Sequence, residues 1–150
     1  MGEVRAKVKF TNAVDEALCR QGKLSKEEVR THVADAMMDA GAVQTAIPNF
    51  VLEKLGVAPR KRRVVEHADG RKDIVGVGEP IIVEIDGRDA IEEALALGDE
   101  ALIGQTVLEK LDSHVDGANR RVFPNLARPD EPVTKIKQLE SLNETLSQKT

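Results

Sequence analysis

The middle of this sequence is cut by turn signals into runs too short to be helices. Asp69-Gly70, the stretch Gly76 to Gly78 before Pro80, and Asp86-Gly87 separate Val64 to His67, Lys72 to Val77, Ile81 to Ile85 and Ala90 to Leu97. Asp-Gly between alternating apolar runs is a strong hairpin signal, because its backbone readily takes the positive φ that a two-residue β-turn demands. The region reads as a β-meander, and the rest of the chain has to be compatible with a sheet. Apolar and basic residues alternate from Val4 to Phe10, the period of a half-buried strand. Val33 to Met38 is a further strand that runs into Asp39-Ala40-Gly41-Ala42, and Val43 to Ile47 leaves that turn before Pro48. Ala101-Leu102-Ile103-Gly104 and Arg120 to Phe123 complete the set of expected strands.

Helices are few and short. Asn49 to Leu55 puts Phe50, Val51 and Leu55 at helical spacing, with Gly56 placed to end the helix. Gln105 to Leu111 offers Val107, Leu108 and Leu111 as a buried face. The polar stretch from Val14 to Val29 reads as an insertion or wide hairpin loop, in which the spacing of Ser25 and Glu28 suits a capping box and one helical turn. The basic run Arg60-Lys61-Arg62-Arg63 leads into the next strand and reads as a solvated edge, with a substrate-facing role as the lesser alternative. Arg128 to Pro132 reads as a linker, after which Val133, Ile136, Leu139, Leu142 and Leu146 recur at three- and four-residue spacing, as in an amphipathic helix. Residues 1–127 are thus the expected domain and 128–150 a linker with a helical tail.

Composition sets the remaining bounds. The 150 residues suit one domain, and with no Trp, no Tyr and three Phe the core must be aliphatic. The same lack of aromatics leaves no platform for stacked bases, and a net charge of −4 does not suit a polyanion-tracking surface. No nucleic-acid partner is expected. Cys19 is the single cysteine, which precludes an intrachain disulfide and points to a reducing compartment. The first residues are charged where a signal peptide would be apolar, and no apolar run approaches the roughly 18 residues of a membrane helix. A cytoplasmic protein without membrane attachment is therefore expected. His32, His67 and His114 lie apart from one another and from any paired carboxylates, so neither a metal nor a cofactor is expected.

One constellation suggests chemistry. Met37-Met38-Asp39-Ala40-Gly41-Ala42 is followed by Thr45-Ala46-Ile47-Pro48 and, much later, by Leu102-Ile103-Gly104-Gln105 with Leu108-Glu109. This order resembles the retropepsin-like aspartic peptidases, in which an apolar pair, Asp, Thr or Ser, Gly and Ala precede a later aliphatic pair, Gly and a helix. Ala68-Asp69-Gly70-Arg71, Val115-Asp116, Arg121-Val122-Phe123-Pro124-Asn125 and Pro132-Val133-Thr134-Lys135 extend the likeness over residues 4–137, and it is closest to the bacterial and cyanobacterial branch. The resemblance implies a mostly β, acid-protease fold, a closed barrel or sheet with one or two short helices. It also implies Asp39 as the catalytic carboxylate, on a loop with Ala40, Gly41 and Ala42 and supported by Leu102, Ile103 and Gly104.

A carboxylate on a tight turn is held in a fixed orientation and supplied with backbone donors by an adjacent Gly. Two such groups placed close together share a proton, so that one can activate water while the other protonates the scissile carbonyl. Only one Asp-x-Gly-Ala element is present. The resemblance therefore implies a homodimer in which each subunit supplies Asp39, with a peptide or protein as substrate. It further implies a flap, for which Asp69, Gly70, Gly76 and Gly78 are candidates, and pocket residues near Ile47 and in the strand from Ile74 to Val77. Arg120 to Phe123 is the expected dimer sheet.

The chain departs from the family pattern at Ala40, where the family's hydroxyl reaches across the dimer axis to the partner's backbone. Two functions follow as expectations: an aspartic endopeptidase, and a catalytically impaired homodimer that binds peptides. Asp69, Asp86 and Asp116, each before Gly, read as turn residues, Cys19 as incidental, and Met37 and Met38 as core.

Overall fold

A computed structural model describes residues 3–135. In chain order its elements are β1 (Val4–Asn12), α1 (Ala13–Arg20), a 3-10 turn (Lys26–Glu28), β2 (Thr31–Met38), β3 (Ala46–Ile47) and α2 (Asn49–Leu55). There follow β4 (Pro59–Glu66), β5 (Lys72–Gly78), β6 (Ile81–Ile85), β7 (Arg88–Glu92), β8 (Leu95–Ala96) and β9 (Leu102–Ile103). The chain continues through α3 (Gln105–Lys110), β10 (Ser113–Asp116) and β11 (Arg121–Pro124).

The alternation in β1 does what its pattern implies: Val4, Val8 and Phe10 are buried while Lys7 and Lys9 face solvent. β1 is the spine of the sheet. It pairs antiparallel with β2 from Val4 opposite Met38 to Thr11 opposite Thr31, and its second half also pairs with β6, Lys9 opposite Glu84 through Asn12 opposite Ile81. β6 and β7 form the hairpin expected at Asp86-Gly87, whose φ values of 50° and 81° are those of a tight turn with both central residues left-handed. The whole is a nine-stranded sheet in the order β4-β5-β8-β3-β9-β2-β1-β6-β7, with β10-β11 as a separate two-stranded ribbon. The mostly β class with short helices is therefore as expected. Among the described residues β4 and β7 do not pair with each other, so the sheet is not a closed barrel.

The core is aliphatic around a single aromatic. Phe10, Ile47, Leu55, Ile81, Ile103, Leu108 and Leu111 are fully buried, each stabilising the fold by about 1.5–3 kcal/mol relative to exposure. α2 begins after Pro48 and ends at Gly56, whose φ of 66° is left-handed, as expected. Its buried residues are Val51, Leu52 and Leu55, and Phe50 is exposed, so the inward stripe is rotated from the one expected.

Other expectations change. The stretch from Val14 to Val29 holds α1 before the 3-10 turn, rather than a loop alone. Asn12 starts α1 by accepting the Asp15 N–H on its side-chain oxygen at 3.0 Å. Asp15 and Glu16 lie in the first turn and Arg20 in the last, where they complement the helix dipole. The 3-10 turn does carry the capping box: the Glu28 carboxylate accepts from both the backbone N–H and the hydroxyl of Ser25. Arg60 to Arg63 belongs to β4 itself, because its backbone continues the pairing with β5. Ala90 to Leu97 is divided between β7 and β8, and Ser113–Asp116 adds a strand opposite β11. Gly76 lies within β5 and Gly78 ends it, the expected break before β6 falling at Glu79-Pro80. Bare backbone is needed there for packing, since a Cβ on Gly78 would stand 3.0 Å from Val57 and one on Gly76 3.3 Å from Pro59.

The start of the expected linker is fastened to the domain. Asp112 accepts from Arg128 Nε at 2.6 Å and Nη2 at 2.9 Å, from Asn125 Nδ2 at 3.2 Å and from the Val133 N–H at 3.2 Å. Arg88 adds bonds to the carbonyls of Leu111, Asp112 and Arg128. The Arg128 guanidinium holds the Asp112 carboxyl well below the usual carboxylate range. The expected tail helix falls largely beyond residue 135, outside the described residues.

Candidate active site

Asp39 is positioned by a parallel crossing. β2 and β9 run side by side, Met37 opposite Leu102 and Met38 opposite Ile103. The Met37 N–H donates to Ala101 O at 3.0 Å, and the Asp39 N–H donates to Ile103 O at 2.9 Å. The chain then turns sharply, with the Ala42 N–H donating to Asp39 O at 3.2 Å. Inside the turn the Gly41 N–H donates to Asp39 Oδ1 at 2.9 Å. Asp39 is half-buried, and its Oδ2 has no hydrogen-bond partner among the described residues. One oxygen is thus oriented and the other left available.

The loop is braced from the far end of the chain. The first N–H groups of α3, which no helical carbonyl can satisfy, donate to it: Gln105 to Ala42 O at 2.7 Å and Thr106 to Val43 O at 3.1 Å. The Gly104 N–H donates to Thr45 Oγ1 at 3.0 Å, and Thr45 is fully buried. Gly104 allows this approach, because a Cβ there would lie 2.6 Å from the backbone C and O of Gln44. Ile103 is fully buried and supplies the carbonyl behind Asp39. Leu102, Ile103 and Gly104 therefore meet the Asp39 loop. Thr45 belongs to the quoted sequence fragment without a role there. Its one signal is a hydroxyl bordering a short apolar run.

Beside the loop lies a cleft of about 500 Å³. Ala46, Leu95, Leu97 and Leu102 line it, Val65 and Arg63 of β4 form a wall, and Ala42 and Val43 bring the Asp39 loop to its edge. The expected pocket residues are elsewhere. Ile47 is fully buried in the core, Ile74 is on the outer face of β5 and 68% exposed, and Val75 and Val77 are buried against Leu95.

The β4–β5 hairpin pairs from Pro59 opposite Gly78 to Glu66 opposite Lys72. Its tip is the Asp69-Gly70 turn: the Gly70 N–H donates to His67 O at 2.9 Å, and Gly70 has a φ of 88°. Asp69 is occupied locally, accepting from the Arg71 N–H at 3.0 Å and from Arg71 Nε at 2.9 Å. Of the four flap candidates, Asp69 and Gly70 are at a hairpin tip, and Gly76 and Gly78 in its second strand.

Among the described residues there is no group of three or more His, Cys, Asp or Glu side chains arranged to hold a metal, and no helix long and apolar enough to cross a membrane. No family model matches the chain, and no curated protein does. Among solved structures it is similar to the protease of simian foamy virus (mac), determined in solution, with 18% identity and a TM-score of 0.42 over 71% of this chain and 91% of that one.

Proposed function

We propose that two copies of this chain form an aspartic peptidase in which Asp39 and its partner-subunit counterpart share a proton and activate water. The supporting observation is Asp39 itself, a carboxylate with one oxygen fixed by the Gly41 N–H and the other unpartnered among the described residues, on a braced loop at the edge of an apolar cleft. A lone carboxylate can orient water but cannot also protonate the scissile carbonyl, so the reading requires a second copy. The β4–β5 hairpin serves as the flap, its tip at Asp69-Gly70. Substrate enters as an extended peptide, and β11, which pairs on one edge only with β10, takes part in the subunit contact. The reaction needs neither metal nor organic cofactor.

Ala40 favours a second reading, a homodimer that binds peptides without cleaving them. Cleavage of an unstructured protein between acidic and neutral pH separates the two. The peptidase reading expects turnover that Asp39→Asn abolishes and a statine-type transition-state mimic inhibits. No turnover by a verified dimer across that range would reject it and leave the peptide-binding reading.

A further inference from the structure

The hairpin wall of the cleft carries one charge of each sign, Arg63 and Glu66, above an apolar floor. The chain as a whole is acidic, with a net charge of −4. Its β4–β5 hairpin is nevertheless basic, holding Arg60, Lys61, Arg62, Arg63, Arg71 and Lys72 against Glu66, Asp69 and Asp73. Three of these six cations are paired. Arg60 and Lys61 both reach Glu93, at 3.3 and 3.5 Å, and Arg71 pairs with Asp69. Arg62 is opposite Gly76 in the register, one position from Arg63, and so projects from the other face of the hairpin. Arg63 shares the face of Val65, lines the cleft, and makes no ion pair or side-chain hydrogen bond among the described residues. Glu66 also borders the cleft, nearer the hairpin tip, where Lys72 is its neighbour across the pair.

β4 is the end strand of the sheet. One of its edges therefore carries unpaired backbone N–H and C=O groups, the arrangement to which an extended peptide adds as a further strand. In such a peptide residues two apart point the same way, about 6.4–6.8 Å from each other. A side chain seated on Ala46, Leu95, Leu97 and Leu102 is then followed, on the same side, by one that can face Arg63.

Resting on the peptide-binding part of the reading above, we infer that this cleft selects an extended peptide bearing an aliphatic residue with an acidic residue two positions away, and that Arg63 is the residue that reads the acid. The pair is exposed, so its effect is modest and salt-sensitive.

The test uses three fluorescent dodecapeptides with a central leucine, differing only at the positions two before and two after it, which carry Glu, Gln or Lys. Binding is measured by anisotropy on the full-length Asp39→Asn chain, and cleavage on the unsubstituted chain. The Glu peptide is expected to bind about three times more tightly than the Gln peptide at low salt, with the difference disappearing in roughly 0.5 M salt. Arg63→Gln removes the discrimination, Arg63→Glu turns it towards Lys, and Arg62→Gln on the opposite face preserves it. Equal binding of all three peptides, binding of none, a preference for Lys in the unsubstituted cleft, or a Glu preference that survives Arg63→Gln would each overturn the inference. Selective binding without cleavage would reject the peptidase reading while leaving this one standing.

Discussion

Two aspartates sit beyond opposite ends of the same strand pair. Asp15 follows the end of β1 where Thr11 faces Thr31, and Asp39 follows the end of β2 where Met38 faces Val4. Asp15 is saturated. It is buried and accepts from Arg30 Nε at 2.8 Å, from Arg30 Nη2 at 3.0 Å and from the Arg30 N–H at 3.0 Å. Its neighbour Asn12 donates to Leu55 O at 2.8 Å, so one polar cluster ties β1, α1 and α2 together. Asp39 is half-buried and holds one backbone donor. A carboxylate held on both oxygens by a buried charge-assisted pair serves to lock structure. One held on a single side keeps an oxygen for chemistry, provided that its loop is rigid for other reasons. Gly104, Thr45 and the start of α3 supply that rigidity.

Asp39→Asn should separate the two ends most sharply. Any peptidase turnover is expected to fall by on the order of a thousandfold or more, while thermal melting changes little, because the exchange alters one half-exposed oxygen. A large loss of stability would mean that Asp39 is structural like Asp15. Gly104→Ala comes next, since a Cβ 2.6 Å from the Gln44 backbone cannot be relieved by a side-chain rotation. It is expected to destabilise by about 1–3 kcal/mol or more in urea titrations and to lower turnover with it. Asp15→Ala, at the other end, strands the Arg30 guanidinium and its N–H. It should cost about 1.5–3 kcal/mol of stability while leaving any turnover per folded chain unchanged.

The acid limb of stability should report Asp15 and Asp112 together. Hydrogen bonds from Arg30 lower the Asp15 pKa against the opposing effect of burial, and those from Arg128 lower that of Asp112. Both folded values lie below the unfolded value of about 3.9, so the unfolded chain binds more protons in between. Their stabilisation is complete above the unfolded value and is lost as pH falls towards the folded ones. The urea midpoint is expected to be flat from neutrality to about pH 5 and to decline below about pH 4. Asp15→Asn should make that decline shallower, and an unchanged slope would contradict the assignment. The smallest effect belongs to Ala40→Thr. In the proposed dimer a hydroxyl there adds hydrogen bonds of about 0.5–1.5 kcal/mol each across the axis, which should tighten the dimer and raise turnover severalfold. Unchanged dimer dissociation and turnover would show that Ala40 does not face the partner.

Much of this was legible in sequence where the local signal and the fold agree. The Asp86-Gly87 hairpin, α2 with its Gly56 terminus and the alternation of β1 are each set by a few adjacent residues. α1 is a helix of eight residues whose apolar stripe, Val14, Ala17 and Leu18, is only one turn long and is flanked by the polar Asn12, Asp15 and Glu16, so the stretch as a whole reads as a polar loop. Gly76 and Gly78 imitate a turn, but the constraint on them is distant packing against Pro59 and Val57. The meeting of residues 102–104 with the Asp39 loop follows from the quoted motif. The cleft does not, since Leu95, Leu97, Arg63 and Val65 come together only through the register of β3, β5 and β8.

The proposed shared dyad is tested most directly by mixing unsubstituted chain with a ninefold excess of the Asp39→Asn chain under conditions in which subunits exchange. If each site needs Asp39 from both chains, activity per unsubstituted chain should drop to about one tenth, because random pairing leaves that fraction with an intact partner. Activity per unsubstituted chain that stays constant through the titration would show that Asp39 works within a single subunit, and would contradict the dimeric site.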